Sequence, residues 1–155
     1  MNCLCEVLSQ EKYQMSQRVA IIEDKKTVLK FSGLIQKDWL TVWDIDSRLL
    51  TLCFDSLSDE YDKLIVVYDY EAFCADPEIK EAILYHELGH LTYPVLQGET
   101  NMEAELQCDQ HAIVNGYKAG LEKVLQLMLS MARSLNNKLL LDMTTSRLHQ
   151  LQFSF

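Results

Sequence analysis

The chain is expected to fold as an α+β protein, with a small N-terminal β-sheet followed by a C-terminal helical part. Two patterns predict this. Between residues 19 and 68, short β-prone runs alternate with charged turns, as in strands joined by tight connections. From residue 76 onward the apolar residues recur at three- and four-residue spacing, the period of helices with a buried side. Length is the third observation. With 155 residues, 48% of them hydrophobic and 24% charged, the chain can bury a core without disulfides or a structural metal, so residues 1–155 are read as one domain.

Residues 3–18 are expected to be helical, with Leu4, Val7, Leu8 and Met15 at mixed helical spacing. Strands are expected at Val19–Ile22, Val28–Ile35, Leu40–Ile45, Leu49–Phe54 and Leu64–Tyr68. Charged turns such as Glu23-Asp24-Lys25-Lys26 and residues 55–62 separate them. A helix then begins after Asp76: this residue is an N-cap, Pro77 takes the first helical position, and Glu78 and Glu81 suit the positive end. Ile79, Ala82, Ile83, His86 and His90 fall on one stripe, and Leu84, Leu88 and Leu91 on another, so the helix should be packed on most sides. Pro94 disfavours helical geometry at Tyr93 and should stop it there. Thr100-Asn101-Met102-Glu103 has the form of a capping box and opens the next helix. Farther on, Leu121, Val124, Leu125, Met128, Leu129, Ala132 and Leu135 make a core-facing stripe. Trp39, Trp43, Phe153 and Phe155 are read as packing anchors, with docking on a partner left open for the last two.

A formal charge of −9 supplies no basic footprint, which argues against nucleic acid as a partner. The five cysteines are odd in number and irregularly spaced, which suits reduced thiols and a cytoplasmic setting rather than a disulfide framework. Glu6, Gln10, Glu11 and Lys12 interrupt any apolar leader, so no signal peptide is expected, and no apolar run approaches membrane-spanning length.

The most informative residues are His86-Glu87-Leu88-Gly89-His90, an H-E-x-x-H pattern on the predicted helix. Two His four residues apart project from one face and can bind one metal ion, while Glu87 can handle a proton beside it. A catalytic ion needs a third protein ligand and one open position. Downstream candidates are Glu99, Glu103, Glu105, Asp109 and His111. Glu103 belongs to its own helix start, and His111 lies about 120° around the wheel from Glu105. Glu105 is therefore the expected ligand beside His86 and His90, with Asp109 accepting the other N–H of a ligand imidazole. The exchanged arrangement, Asp109 as ligand, stays open. Ala112 and Gly116 continue that face with small residues, which would let the two helices approach closely.

His86–His90 followed by Glu105-Leu106-Gln107-Cys108-Asp109 resembles the gluzincin zinc peptidases, which pair H-E-x-x-H with a downstream E-x-x-x-D. The HtpX-like group, whose second motif reads E-x-x-A-D, is similar, with Cys108 standing where that Ala would be. Ser146-Arg147-Leu148-His149-Gln150-Leu151 resembles the R-[IL]-x-x-L segment near the end of such domains. The ImmA/IrrE-type peptidases, which act on repressors, share the first motif but usually carry Asn at the place of Asp109. The resemblance covers residues 76–116 and, weakly, 144–151, and it does not reach residues 1–62. HtpX-like proteins are membrane-embedded, so this chain resembles only their soluble catalytic core.

The resemblance implies a zincin-like fold, one catalytic Zn²⁺ and a peptide or protein substrate. The pKa of water on zinc would fall from about 9, its value on aqueous Zn²⁺, toward about 7, and Glu87 would act as general base. Arg147, His149, Tyr93 and Tyr117 are candidates for stabilising the oxyanion. The run Leu64–Tyr68 would bind substrate by strand addition. Two other readings compete. One is a regulatory peptidase selective for a single repressor. The other is a non-catalytic zinc module closed by a fourth ligand, for which Cys108 is the candidate, although Cys108 is expected to pack as a small hydrophobe. No cysteine-bearing loop like that of peptide deformylase surrounds Cys53 or Cys74.

Overall fold

The computed structural model describes residues 3–31, 46–91 and 101–153. Its class is α+β, and its two central strands carry the sheet. β1 (Cys3–Val7) lies antiparallel to β2 (Val19–Glu23), and β3 (Thr51–Asp55) lies antiparallel to β4 (Lys63–Val67). β2 and β4 run parallel with Ile21 opposite Ile65, which gives the order β1-β2-β4-β3. Val19, Ala20, Ile21 and Ile65 are wholly inaccessible, as central strands covered on both faces should be. The two-residue period of the pleat divides the apolar residues between two cores. Ile65 and Val67 pack beneath the C-terminal helices, while Val66 joins Leu52 and Phe54 against Val28 on the opposite face.

Three expectations are corrected here. Residues 3–18 form no helix. Residues 3–7 pair with β2, and the chain then turns, with the Tyr13 N–H donating to the Ser9 carbonyl at 3.2 Å and Gln14 at a φ of 52°. The apolar spacing there was never a continuous stripe, and pairing with an open strand edge overrode it. Val28–Ile35 contains no strand among its described residues, because Lys25–Phe31 is helix α1. Asp24, inside the expected turn, accepts hydrogen bonds from the N–H and the hydroxyl of Thr27 at 3.2 and 2.9 Å, which starts a helix instead. Leu64–Tyr68 does contain a strand, but β4 is interior with both neighbours in place, so it cannot accept an added one. Among the described residues the sheet edges are β1 and β3. Leu40–Ile45, Trp39, Trp43, Tyr93, Pro94, Glu99, Thr100 and Phe155 lie outside the described residues.

The helices follow as α2 (Tyr70–Cys74), α3 (Pro77–Gly89), α4 (Met102–Val114), α5 (Lys118–Ser134) and α6 (Lys138–Leu151). Asp76 caps α3 as expected, its carboxylate accepting from the N–H groups of Glu78 and Ile79, with Pro77 in the first turn. The N-cap of α4 is Asn101 rather than Thr100: its side chain accepts from the Ala104 N–H at 3.1 Å. An amide oxygen one residue later serves the same orphan donors, and Glu105 remains in the first turn. No helix of the described residues is long and apolar enough to cross a membrane.

Two glycines allow the helices around α3 to close in. A Cβ at Gly89 would lie 2.9 Å from the Cα of Cys108, so α3 and α4 touch backbone to backbone there. A Cβ at Gly120 would lie 2.3 Å from the Glu78 carbonyl oxygen, which seats the start of α5 on the start of α3. Gly116, expected to serve this purpose, has open space around it and a φ of 94°, so it serves the turn after α4.

A polar tie fixes α3 to the sheet edge. Glu6 on β1 accepts from Lys80 Nζ at 2.8 Å and from the Tyr70 hydroxyl at 2.7 Å. Burial alone would raise the Glu6 carboxyl, but the hydrogen bonds from Lys80 and Tyr70 outweigh it and hold the group below its ordinary value. A depressed carboxylate contributes stability that is complete above the unfolded value and lost as pH falls through the folded one. Glu6→Gln should therefore cost about 1 kcal/mol at pH 7. The gap between wild type and variant should narrow below pH about 4.5, read by urea unfolding at pH 7, 4.5 and 3. A gap that does not change with pH would assign the cost to packing instead.

Candidate metal centre

α3 and α4 cross where the H-E-x-x-H residues meet the first turns of α4. His86 and His90 point to the same side, their rings edge-on with centroids 5.2 Å apart. His86 Nε2 lies 2.8 Å from Glu105 Oε2, and His90 Nε2 lies 3.5 Å from Glu105 Oε1. Both imidazoles thus present the same ring nitrogen to one carboxylate. The other nitrogens face away: His86 Nδ1 is 2.7 Å from Asp109 Oδ1, and His90 Nδ1 is 3.4 Å from Cys108 Sγ.

Asp109 is only 4% exposed, and its second partner comes from α6. Arg147 donates through Nε to Oδ2 at 2.8 Å and through Nη2 to Oδ1 at 2.7 Å, a two-pronged pairing between buried groups. Burial by itself would raise Asp109, but the hydrogen bonds from His86 and Arg147 prevail and keep it ionised below the ordinary carboxylate range. For His86, burial opposes the cation, yet the hydrogen bonds to Asp109 and then Glu105 prevail and lift it to about 9. Glu105 is lowered for the matching reason: its bond to His86 overcomes its burial. Glu87 carries the opposite shift, since burial pushes its carboxyl up against the pull of His86 and His90. The Cys108 thiol is pushed up as well, by burial first and then by the nearby carboxylates of Glu105, Glu87 and Asp109.

A cleft of about 260 Å³ opens on this group. Its polar wall is His86, Glu87, His90, Glu105 and Arg147, and its apolar wall comes from Leu121, Val124 and Met128 of α5 with Leu140 and Met143 of α6. Thr51 of the edge strand β3 closes the third side. The pleat puts Cys53 on the same face of that strand, where burial, followed by the charge of Glu87, pushes its thiol up to about 12.

His86, His90 and Cys108 can hold a metal ion, because one donor atom of each lies within 4.8 Å of the others. The histidines and Glu105 offer a second donor set sharing the same two rings. The chemistry of the residues fits zinc in either case, imidazole with carboxylate or thiolate being its ordinary ligands.

Of the residues selected from the sequence, His86, Glu87, His90, Glu105, Asp109 and Arg147 come together. The remaining oxyanion candidates do not. Tyr117 stacks on Tyr85 with centroids 5.3 Å apart, away from the cleft lining, and His149 is exposed, edge-on to Phe153. Tyr93 is among the undescribed residues. His111 turns toward Tyr85, as its wheel position implies, and Glu103 is exposed. Arg147 reaches the cleft, but its guanidinium is held by Asp109, with Nη2 also 3.5 Å from His86 Nδ1. Sequence reasoning missed that pairing; Cys108, named there as a candidate fourth ligand and expected to pack as a small hydrophobe, is wholly buried, with its sulfur against a histidine ring. Position on the wheel was the available signal for Cys108, which lies three residues after Glu105 and one before Asp109. No family model matches the chain, and comparison with curated proteins and with solved structures finds no similar one.

Proposed function

We propose that this chain is a zinc-dependent peptidase of zincin-like architecture, with His86, His90 and Glu105 as ligands and Glu87 as general base. One observation carries the reading: both histidines turn Nε2 onto Glu105 while Nδ1 of each is engaged elsewhere. An imidazole whose Nδ1 keeps the proton offers a lone pair at Nε2, and Asp109 holds His86 in that tautomer. Zinc bound there would supply a Lewis acid that polarises a peptide carbonyl and makes hydroxide accessible near neutral pH.

The chain's own residues do the rest. Glu87, beside both histidines and lining the cleft, takes a proton from the attacking water and returns it to the departing amine. Its raised carboxyl suits that exchange, because a base works best with a pKa near the working pH. Arg147 holds Asp109, and through it the ring of His86. Among the described residues β3 is the sheet edge beside the cleft, with Thr51 in the lining, so an extended substrate backbone would lie along β3 rather than β4.

A second reading, a closed zinc module without catalysis, is favoured by one observation, the proximity of Cys108 to the two histidines. Ligand substitution separates the two. Glu105→Ala should weaken zinc binding by two orders of magnitude or more if Glu105 is a ligand, measured by competition with a chromophoric chelator. The same protein should lose hydrolysis of unstructured peptides. Undiminished zinc affinity in Glu105→Ala would overturn the catalytic ligand set in favour of the closed module.

A further inference from the structure

We propose that Cys108 is the positioning residue of His90: its buried sulfur accepts the Nδ1–H of that ring, as the Asp109 carboxylate accepts the Nδ1–H of His86. The inference rests on the metal-centre reading above and extends it to the second histidine. Cys108 Sγ lies 3.4 Å from His90 Nδ1, within hydrogen-bond range for sulfur, and Cys108 is wholly inaccessible. Its position is enforced by packing. A Cβ at Gly89 would stand 3.1 Å from Sγ and 2.9 Å from the Cα of Cys108, so the thiol is wedged where α3 and α4 touch. The glycine inside the H-E-x-x-H pattern is thus what admits the sulfur to the ring.

An orienting sulfur and a ligating one would use different nitrogens of His90. The two nitrogens of an imidazole point to different sides of the ring, and His90 Nε2 is the one 3.5 Å from Glu105. For Nε2 to offer a lone pair to a cation, the ring proton must sit on Nδ1, and the atom facing Nδ1 must then accept it. That atom is Cys108 Sγ. For sulfur and His90 to bind one ion together, that ion would take Nδ1, the nitrogen already facing the sulfur, and Nε2 beside Glu105 would not point at it. Sulfur is a weak acceptor, so the hold on His90 is softer than that on His86, where a carboxylate does the same work.

The test is cobalt and zinc titration of the metal-stripped full chain as wild type, Cys108→Ala and Cys108→Ser, with thermal unfolding of each metal-free protein as the folding control. The expected results are threefold. Cobalt-loaded wild type shows no thiolate-to-metal charge-transfer absorption. Cys108→Ala binds both ions about 10-fold more weakly, the low end of losses seen when a ligand's orienting partner is removed. Cys108→Ser, which keeps an acceptor, stays within a few fold of wild type. A charge-transfer band in wild type would overturn the proposal by making Cys108 a ligand, and equal affinity in wild type and Cys108→Ala would overturn it by making the contact incidental. Wild type that binds neither ion would overturn the metal-centre reading, and this inference with it, an outcome distinct from the other two.

Discussion

Glu87→Gln is expected to bind zinc as wild type does and to lose peptide hydrolysis by about 10²- to 10⁴-fold, the usual contribution of a positioned proton-transfer group. Gln keeps the size of the side chain and its place on the cleft wall, so α3 and its caps should be undisturbed. What disappears is the ability to take and return a proton. The environment of Glu87 makes the substitution informative: burial raises its carboxyl, and the pull of His86 and His90 opposes that rise. No partner seen for Asp109, His86 or His90 is removed by the change. Metal content by mass spectrometry and hydrolysis of a mixed unstructured peptide pool decide the matter together. Equal hydrolysis by both proteins would sink the role given to Glu87, and loss of zinc in the variant would move Glu87 among the ligands.

Arg147→Met should destabilise the fold by about 3–5 kcal/mol, the range found when one partner of a buried ion pair is removed. Arg147 and Asp109 are 8% and 4% exposed, and the guanidinium supplies two of the hydrogen bonds to the Asp109 carboxylate. Met preserves most of the volume, so the loss reports the stranded charge rather than a cavity. The double variant Arg147→Met with Asp109→Leu should regain much of that stability, since replacing both charged groups with apolar ones is often neutral. It should not regain zinc affinity, because His86 then has no acceptor for Nδ1–H. Urea unfolding with zinc titration of the three proteins checks this. A single-variant loss below about 1 kcal/mol would show that the pair contributes as little as a surface one.

The elements read correctly from the sequence were those with strong local chemistry. Asp76 and Pro77 announce α3, and the charged turn at residues 55–62 separates β3 from β4. The failures have a common cause. At residues 3–18 and 28–35 the local signal was weak or divided, and what settled the conformation was an open edge of β2 in one case and the Asp24 side chain in the other. Thr100 and Asn101 both carry cap-forming side chains, so the pattern located the start of α4 only to within one residue.

By itself the sequence determined that His86 and Glu87 lie at the end of one helix with His90 beside them, although that helix stops at Gly89 with His90 as its C-cap rather than at Tyr93, and that Glu105 and Asp109 share a face of the next. Helical geometry is rigid enough to place residues three and four apart without knowing anything else. The tertiary structure alone decided that Arg147 reaches across 38 residues to Asp109, that Cys108 meets His90 through the gap left by Gly89, and that β3 rather than β4 borders the cleft. Each of these depends on how helices dock and strands order themselves. Such contacts are set by the packing of whole faces and carry no spacing that a linear pattern can show.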